Sequence, residues 1–230
     1  MLISLIIPTL NERGSMERLM AGLEKAAVEL RPRYELEVIV VDDGSIDGTV
    51  EAVAAVTAPF PIRVIERKVR GLATAVLAGF VAAKGELLGV MDADLSHPPE
   101  MIPKLVGELE QADLVIGSRH LAGGAVEEWP WYRYVVSFLA MVLARPLARG
   151  VRDPLSGFFF LRRSVIEGFK FTPIGYKILL EILVKGRYQI AREIPYTFQN
   201  RGLGKSKMGL WEGCNFLRHL WRLYWWRVGG

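Results

Sequence analysis

Short, continuously apolar runs alternate with segments whose apolar residues recur every three or four positions through the first half of this chain. Leu2–Ile7, Leu36–Val41, Ile62–Ile65, Leu87–Met91 and Leu114–Ile116 read as buried strands. Between them, 15–30, 47–56, 70–83 and 98–110 carry helical periodicity, with Asp47 as a cap and Gly85 as a stop. Strands apolar on both faces and separated by helices predict a mostly parallel α/β sheet flanked by helices. The second half is less regular. Trp131–Arg149 is helical in pattern up to Pro146, 157–161 fits a strand, 174–185 a helix, and 188–198 an extended segment. There is no internal repeat and no low-complexity linker, which favours one continuous domain over 1–208. A Trp/Arg-rich amphipathic helix follows over 209–230.

Ligands of parallel sheets bind beyond the carboxyl ends of the strands. Three polar segments stand at such ends: Pro8–Glu12, Asp42–Ser45 and Asp92–Ser96. Asp92 and Asp94 are two apart, so both can leave a strand on the same side. Two such carboxylates repel each other unless a cation sits between them, and an all-oxygen donor set suits Mg²⁺ or Mn²⁺. Neither a Gly-X-Gly-X-X-Gly fingerprint nor a P-loop is present. A nucleotide can still bind through Asp43 and Glu12 as hydrogen-bond acceptors, with Pro8 and Leu10 as flat apolar contacts. His97 precedes two prolines and is as well explained as a structural residue; His120 and His219 have no catalytic context.

Composition adds to this where charge is local. The formal net charge is +4, which by itself implies no nucleic-acid partner. From Arg201 onward, six basic residues stand against the single acid Glu212, a balance suited to an anionic ligand or membrane surface. Leu210, Cys214, Leu217, Trp221, Tyr224 and Trp225 recur at steps of three and four, with Arg218 and Arg222 on another face, as in helices of the membrane interface. The longest apolar stretch, 134–144, is short of the roughly 20 residues a membrane span needs. Cys214 is the only cysteine, so no internal disulfide forms, and the N-terminus lacks the pattern of a signal peptide.

The segments 6–12 (IIPTLNE), 40–49 (VVDDGSIDGT) and 91–94 (MDAD) resemble those of inverting GT-A glycosyltransferases, a Rossmann-like fold. Adding 96–100 (SHPPE), 116–119 (IGSR), 129–133 (WPWYR), 153–159 (DPLSGFF), 175–177 (GYK), Arg201 and 204–207 (GKSK), the chain resembles the dolichol- and polyprenol-phosphate mannose synthases over residues 3–208. That resemblance implies that Pro8, Leu10, Glu12, Val41 and Asp43 hold the guanosine of GDP-mannose. It implies that Asp92, Ala93 and Asp94 face the diphosphate, with Asp92, Asp94 and Ser96 around Mg²⁺ or Mn²⁺. Arg119, Arg133, Ser137, Lys177, Arg201 and Lys207 would gather the phosphates of donor and acceptor, with Asp92, Asp94, Arg119, Arg133 and Arg201 counted as catalytic. Leu10 stands where relatives often have an aromatic residue, and Ser96 where some have a glutamine. The implied acceptor is a polyprenyl or dolichyl phosphate, and the implied location is peripheral, on the cytoplasmic face of a membrane. The resemblance also admits small membrane-protein partners. The competing expectations are transfer of another sugar to polyprenyl phosphate, such as glucose from UDP-glucose, and a non-catalytic membrane-associated nucleotide-sugar binder.

Overall fold

The computed structural model describes residues 1–126, 131–199 and 210–229. The strands are β1 (Leu2–Thr9), β2 (Glu35–Asp42), β3 (Ile62–Glu66), β4 (Leu87–Val90), β5 (Leu114–Ser118), β6 (Ala125–Val126), β7 (Phe159–Arg162), β8 (Ala191–Pro195) and β9 (Thr197–Phe198). The helices are α1 (Arg13–Leu30), α2 (Thr49–Ala54), α3 (Leu72–Ala82), α4 (Ile102–Glu108), α5 (Trp131–Ala144), α6 (Ile178–Lys185) and α7 (Leu210–Gly229). Seven strands form one sheet in the order β3-β2-β1-β4-β7-β5-β8, and β6 pairs with β9 in a small second sheet. All pairings in the large sheet are parallel except those of β7, which runs antiparallel to both β4 and β5.

Alternation along the strands divides the core into two layers. Ile3, Leu5, Ile7, Val38, Val40 and Phe160 face α1 and α4, whereas Ile6, Ile39, Val41, Val90, Phe159 and Leu161 face α3 and α6. Phe158, Phe159 and Phe160 are therefore core residues on alternating faces, each fully buried. A third apolar layer forms on the outer side of α6, where Leu180 and Val184 meet Ala144, Leu147, Phe216, Leu220 and Leu223. It seats the C-terminal helix on the α/β body.

The differences from the sequence expectation are local. The predicted helix over 98–110 begins as a 3-10 turn at Pro99–Met101. The helix predicted over 174–185 starts only at Ile178, because Gly175 adopts a φ of +77° and breaks the pattern. The extended segment 188–198 is two strands, β8 and β9, that belong to different sheets. At the centre of the large sheet Gly89 pairs with Phe160, and a Cβ on Gly89 would lie 2.2 Å from the Phe160 ring. Gly89→Ala is therefore expected to destabilise the fold by about 3 kcal/mol through overpacking, read as a lowered urea midpoint.

Candidate active site

Because β7 runs against its neighbours, its start lies at the carboxyl edge of the parallel strands: Phe159 is in register with both Val90 and Ile116. The loop 153–158 is thereby delivered to the same rim as the ends of β1, β2, β4 and β5. From β2 to β5 this rim runs through four strand spacings, about 19 Å at roughly 4.8 Å each. That is long enough to lay out a nucleoside, a diphosphate and a sugar end to end.

At the β1–β2 end, two loops are laced together. The Asn11 amide donates to Ser45 Oγ at 2.8 Å, the Glu12 amide to Thr49 Oγ1 at 2.9 Å and the Arg13 amide to Asp47 Oδ2 at 3.1 Å. Asn11 sits at a φ of +57°, a conformation asparagine tolerates better than most residues. Asp42 is buried and structural: it accepts from Thr9 Oγ1 at 2.9 Å, from Ser45 Oγ at 2.5 Å and from the amides of Gly44 and Ser45. Asp43 accepts from the Gly71 amide at the start of α3 at 2.7 Å, and Arg67 Nη1 lies 3.4 Å from its other oxygen. Burial pushes the Asp43 carboxyl above its ordinary range, against the Gly71 hydrogen bond and the Arg67 charge. Pro8, Leu10 and Glu12 are part-exposed above this floor, while Val41 is fully buried under α3, so only its main chain can meet a ligand.

At the end of β4, Asp92 is one-quarter exposed and Asp94 is buried. Asp94 Oδ1 accepts from Ser96 Oγ at 2.5 Å and from the Ser96 amide at 3.1 Å. This tight turn holds Leu95 at a φ of +63°, an uncommon conformation for a branched residue and one that costs about 1 kcal/mol or more. Ser96 is fully buried and directs its hydroxyl at Asp94, which orients that carboxylate. Ala93 is buried between the two acids.

His97 supports the other acid. The Asp92 amide donates to His97 Nδ1 at 2.9 Å, which places the ring proton on Nε2, 3.9 Å from Asp92 Oδ2. The imidazole stacks on Phe158 and meets the edges of Tyr196 and Phe198. Burial lowers its proton affinity despite the nearby charges of Asp92 and Asp94, so the ring is neutral. A Cβ on Gly157 would come within 3.4 Å of Asp92 Oδ2 and 3.2 Å of the His97 ring, so glycine leaves open a space over the carboxylate. No cluster of three or more metal-ligating side chains exists among the described residues. Two carboxylates with an open space beside them fit a hard cation that completes its shell with water and substrate phosphates, as Mg²⁺ commonly does.

At the β5 end, Arg119 and Asp153 form a buried, two-pronged pair. Arg119 Nε and Nη2 donate to Asp153 Oδ2 and Oδ1, each at 2.8 Å, and the Arg119 amide donates to Oδ2 at 3.1 Å. Burial works to raise the Asp153 pKa, but the Arg119 charge and hydrogen bonds hold it below the ordinary carboxylate value. Nη1 of Arg119 is outside that pairing, and the guanidinium lies over the Phe198 ring at 5.6 Å. Lys177 Nζ donates to the Leu155 carbonyl in the 153–158 loop at 2.9 Å. Burial, aided by the Arg119 charge, lowers its pKa to about 8.

The sequence-derived set is thus distributed along one rim: nucleotide candidates at β1–β2, the acid pair at β4, and Arg119 with Lys177 around the start of β7. Ser137 lies half-buried on α5. Arg201 and Lys207 lie outside the described residues, as does the Arg133 side chain. Asp153 was visible only as part of a motif; its charge partner Arg119 is 34 residues away in sequence, and only the direction of β7 joins them. Arg67, against Asp43, carried no sequence signal.

A family model described as Glycosyl transferase family 2 matches residues 4–169. The dolichol-phosphate mannosyltransferase of Pyrococcus furiosus is 45% identical, in a match spanning 98% of this chain and 64% of that protein. The chain therefore spans slightly less than two thirds of that relative. The dolichol-phosphate mannosyltransferase of Saccharomyces cerevisiae is 40% identical over 98% of this chain and 88% of its own length. The polyprenol monophosphomannose synthase of Mycolicibacterium smegmatis is 34% identical over 98% and 86%. Among solved structures, glucosyl-3-phosphoglycerate synthase from Mycobacterium tuberculosis, in complex with Mn²⁺, UDP-glucose and glycerol 3-phosphate, superposes with a TM-score of 0.68. That match is 22% identical and covers 99% of this chain and 80% of the other, a likeness of fold.

Proposed function

This chain belongs to glycosyl transferase family 2, and from that premise we propose that it transfers mannose from GDP-mannose to a polyprenyl or dolichyl monophosphate, with inversion at the anomeric carbon. The observation that carries this reading is the layout of the rim, which sets the acid pair after β4 between the laced β1–β2 loops and two part-buried cations, Arg119 and Lys177. Near-full-length likeness to proteins named for mannosyl transfer to dolichol phosphate supports the choice of sugar and acceptor.

In this reading Asp43 and Glu12 accept hydrogen bonds from the guanosine, and Pro8 and Leu10 supply its apolar contact. Asp92 and Asp94 would hold a Mg²⁺ or Mn²⁺ ion, which supplies Lewis-acid stabilisation of the leaving diphosphate. Ser96 orients the Asp94 carboxylate, and His97 holds the Asp92 main chain through its amide. Arg119, fixed by Asp153, and Lys177 present positive charge to the acceptor phosphate, relieving its repulsion from the donor. A phosphate monoester has a second pKa of about 6 and is mostly dianionic near neutrality. The step therefore makes one C1–O bond to the acceptor phosphate and breaks one to GDP, with no proton to remove. His97 accords with that, since its one unprotonated nitrogen, Nδ1, already accepts from the Asp92 amide and is not open to take a proton.

The exposed apolar faces of α5 and α7 support a location at a membrane surface. Phe138 and Leu139 on α5, and Leu217, Trp221 and Trp225 on α7, are all more than half exposed, and Tyr224 donates across to the Leu143 carbonyl, joining the two helices. No helix among the described residues is long and apolar enough to cross a bilayer. Radiolabelled transfer decides the donor: GDP-mannose with a short polyprenyl phosphate is expected to yield labelled lipid, and excess EDTA to abolish it. Label entering lipid only from UDP-glucose would overturn the choice of sugar, and full activity in chelator would overturn the metal role.

A further inference from the structure

The C-terminal helix does more than cover the outer face of α6. Its inner side carries two polar residues, His219 and Arg222, and both reach the main chain of 172–174. The Ile174 amide donates to His219 Nδ1 at 3.1 Å. Arg222 Nη2 donates to the Thr172 carbonyl and lies 3.8 Å from Glu181 Oε1. Glu181, on α6, accepts from the Thr172 amide at 3.0 Å and from Lys185 Nζ at 2.5 Å. His219 and Glu181 are both fully buried. Burial lowers the His219 pKa to about 4, so the ring is neutral and Nδ1 remains an acceptor.

Three residues beyond Ile174 comes Lys177. The link is short and passes through Gly175, where a Cβ would lie 3.5 Å from Glu212 Oε2 of α7. Lys177 then ties to Leu155 in the loop that carries Asp153 and Gly157. Hydrogen bonds between side chains and the main chain, joined by the covalent run 174–177, therefore connect α7 to the rim. An apolar contact layer alone would hold α7 against α6 without fixing the height of 172–177.

We propose that His219 is a positioning residue for the transfer reaction: by holding the Ile174 amide it sets the segment that places Lys177 and, through Leu155, the 153–158 loop. The seating of the C-terminal helix thereby governs how the acceptor phosphate is received. This deepens the function proposed above and rests on Lys177 as a contact for that phosphate.

The test compares His219→Leu, which removes the acceptor, with His219→Asn, whose side-chain carbonyl can replace Nδ1. In the full chain, His219→Leu is expected to lower kcat for a short polyprenyl phosphate by about tenfold, with KM for GDP-mannose within about twofold. His219→Asn is expected to restore most of the loss. Hydrogen exchange, which needs no turnover, should show His219→Leu losing protection at 172–177 and in 153–158, with the β1 and β2 amides unchanged. Increased exchange confined to α7, or equal kcat in all three proteins, would overturn the inference. A wild-type chain that forms no mannosyl lipid would overturn the proposed function instead, and the exchange result would still decide the coupling.

Discussion

Asp94→Asn is expected to lower the rate of mannosyl transfer by about 10³-fold or more while leaving the fold intact. The substitution keeps the shape of the side chain and an acceptor for the Ser96 hydroxyl, which lies 2.5 Å from Oδ1. It removes the negative charge from one of the two carboxylates at the rim. If those carboxylates hold a divalent ion, what is lost is its stabilisation of the leaving diphosphate, worth several kcal/mol. Initial rates with GDP-mannose and a short polyprenyl phosphate, beside near-ultraviolet circular dichroism of the same preparation, would check this. Turnover within about tenfold of wild type would remove Asp94 from the metal site. Asp92→Asn tests the other acid; its carboxylate, one-quarter exposed, can be neutralised with little effect on stability.

Asp153→Ala is expected to act on stability and activity together. The carboxylate is 1% exposed and its partner Arg119 10% exposed, so truncation leaves a buried guanidinium without its counter-charge. Removing one member of a buried ion pair typically destabilises by about 3–5 kcal/mol. The loss should appear as a lowered urea midpoint with an unchanged m value. Transfer should fall as well, because the planar fork that holds Arg119 is gone. The pH dependence follows from the direction of the Asp153 shift. Its folded pKa lies below the unfolded value, so its contribution is complete above that value, about 4, and declines as pH falls through the folded pKa. Wild-type stability should therefore drop on acidification below about pH 4, and Asp153→Ala should flatten part of that slope. An equally steep acid transition in the variant would show that Asp153 is not a principal source.

How much of this was legible in the chain depends on the range of the interactions. Strand ends are local events: an apolar run gives way to Pro8-Thr9, to Asp42-Asp43 or to Asp92-Ala93-Asp94, and each break is visible without any partner. The alternation of strand and helix implied parallel pairing, which implied that those ends share one rim. The amphipathic stripe of α7 was equally local. Direction and partnership were not. The run 157–161 announces a strand but carries no sign of its polarity, and that polarity decides whether Asp153 lands beside Arg119 or at the opposite edge of the sheet. The role of His97 was open for the same reason, since its contacts with Phe158, Tyr196 and Phe198 come from distant segments.

By itself, then, the amino-acid order determined the α/β class, the acid pair at a strand end and the amphipathic C-terminal helix, because periodicity and chain breaks are short-range properties. Only the tertiary structure decided that Arg119 is clasped by Asp153, that Asp43 meets Arg67 and the start of α3, that His97 underpins Asp92, and that His219 holds the segment leading to Lys177. Each of these joins residues whose proximity depends on strand order and direction. Burial and the ion pairs it encloses then act on the Asp43, Asp153, His97 and His219 side chains, and both exist only once the layers have closed.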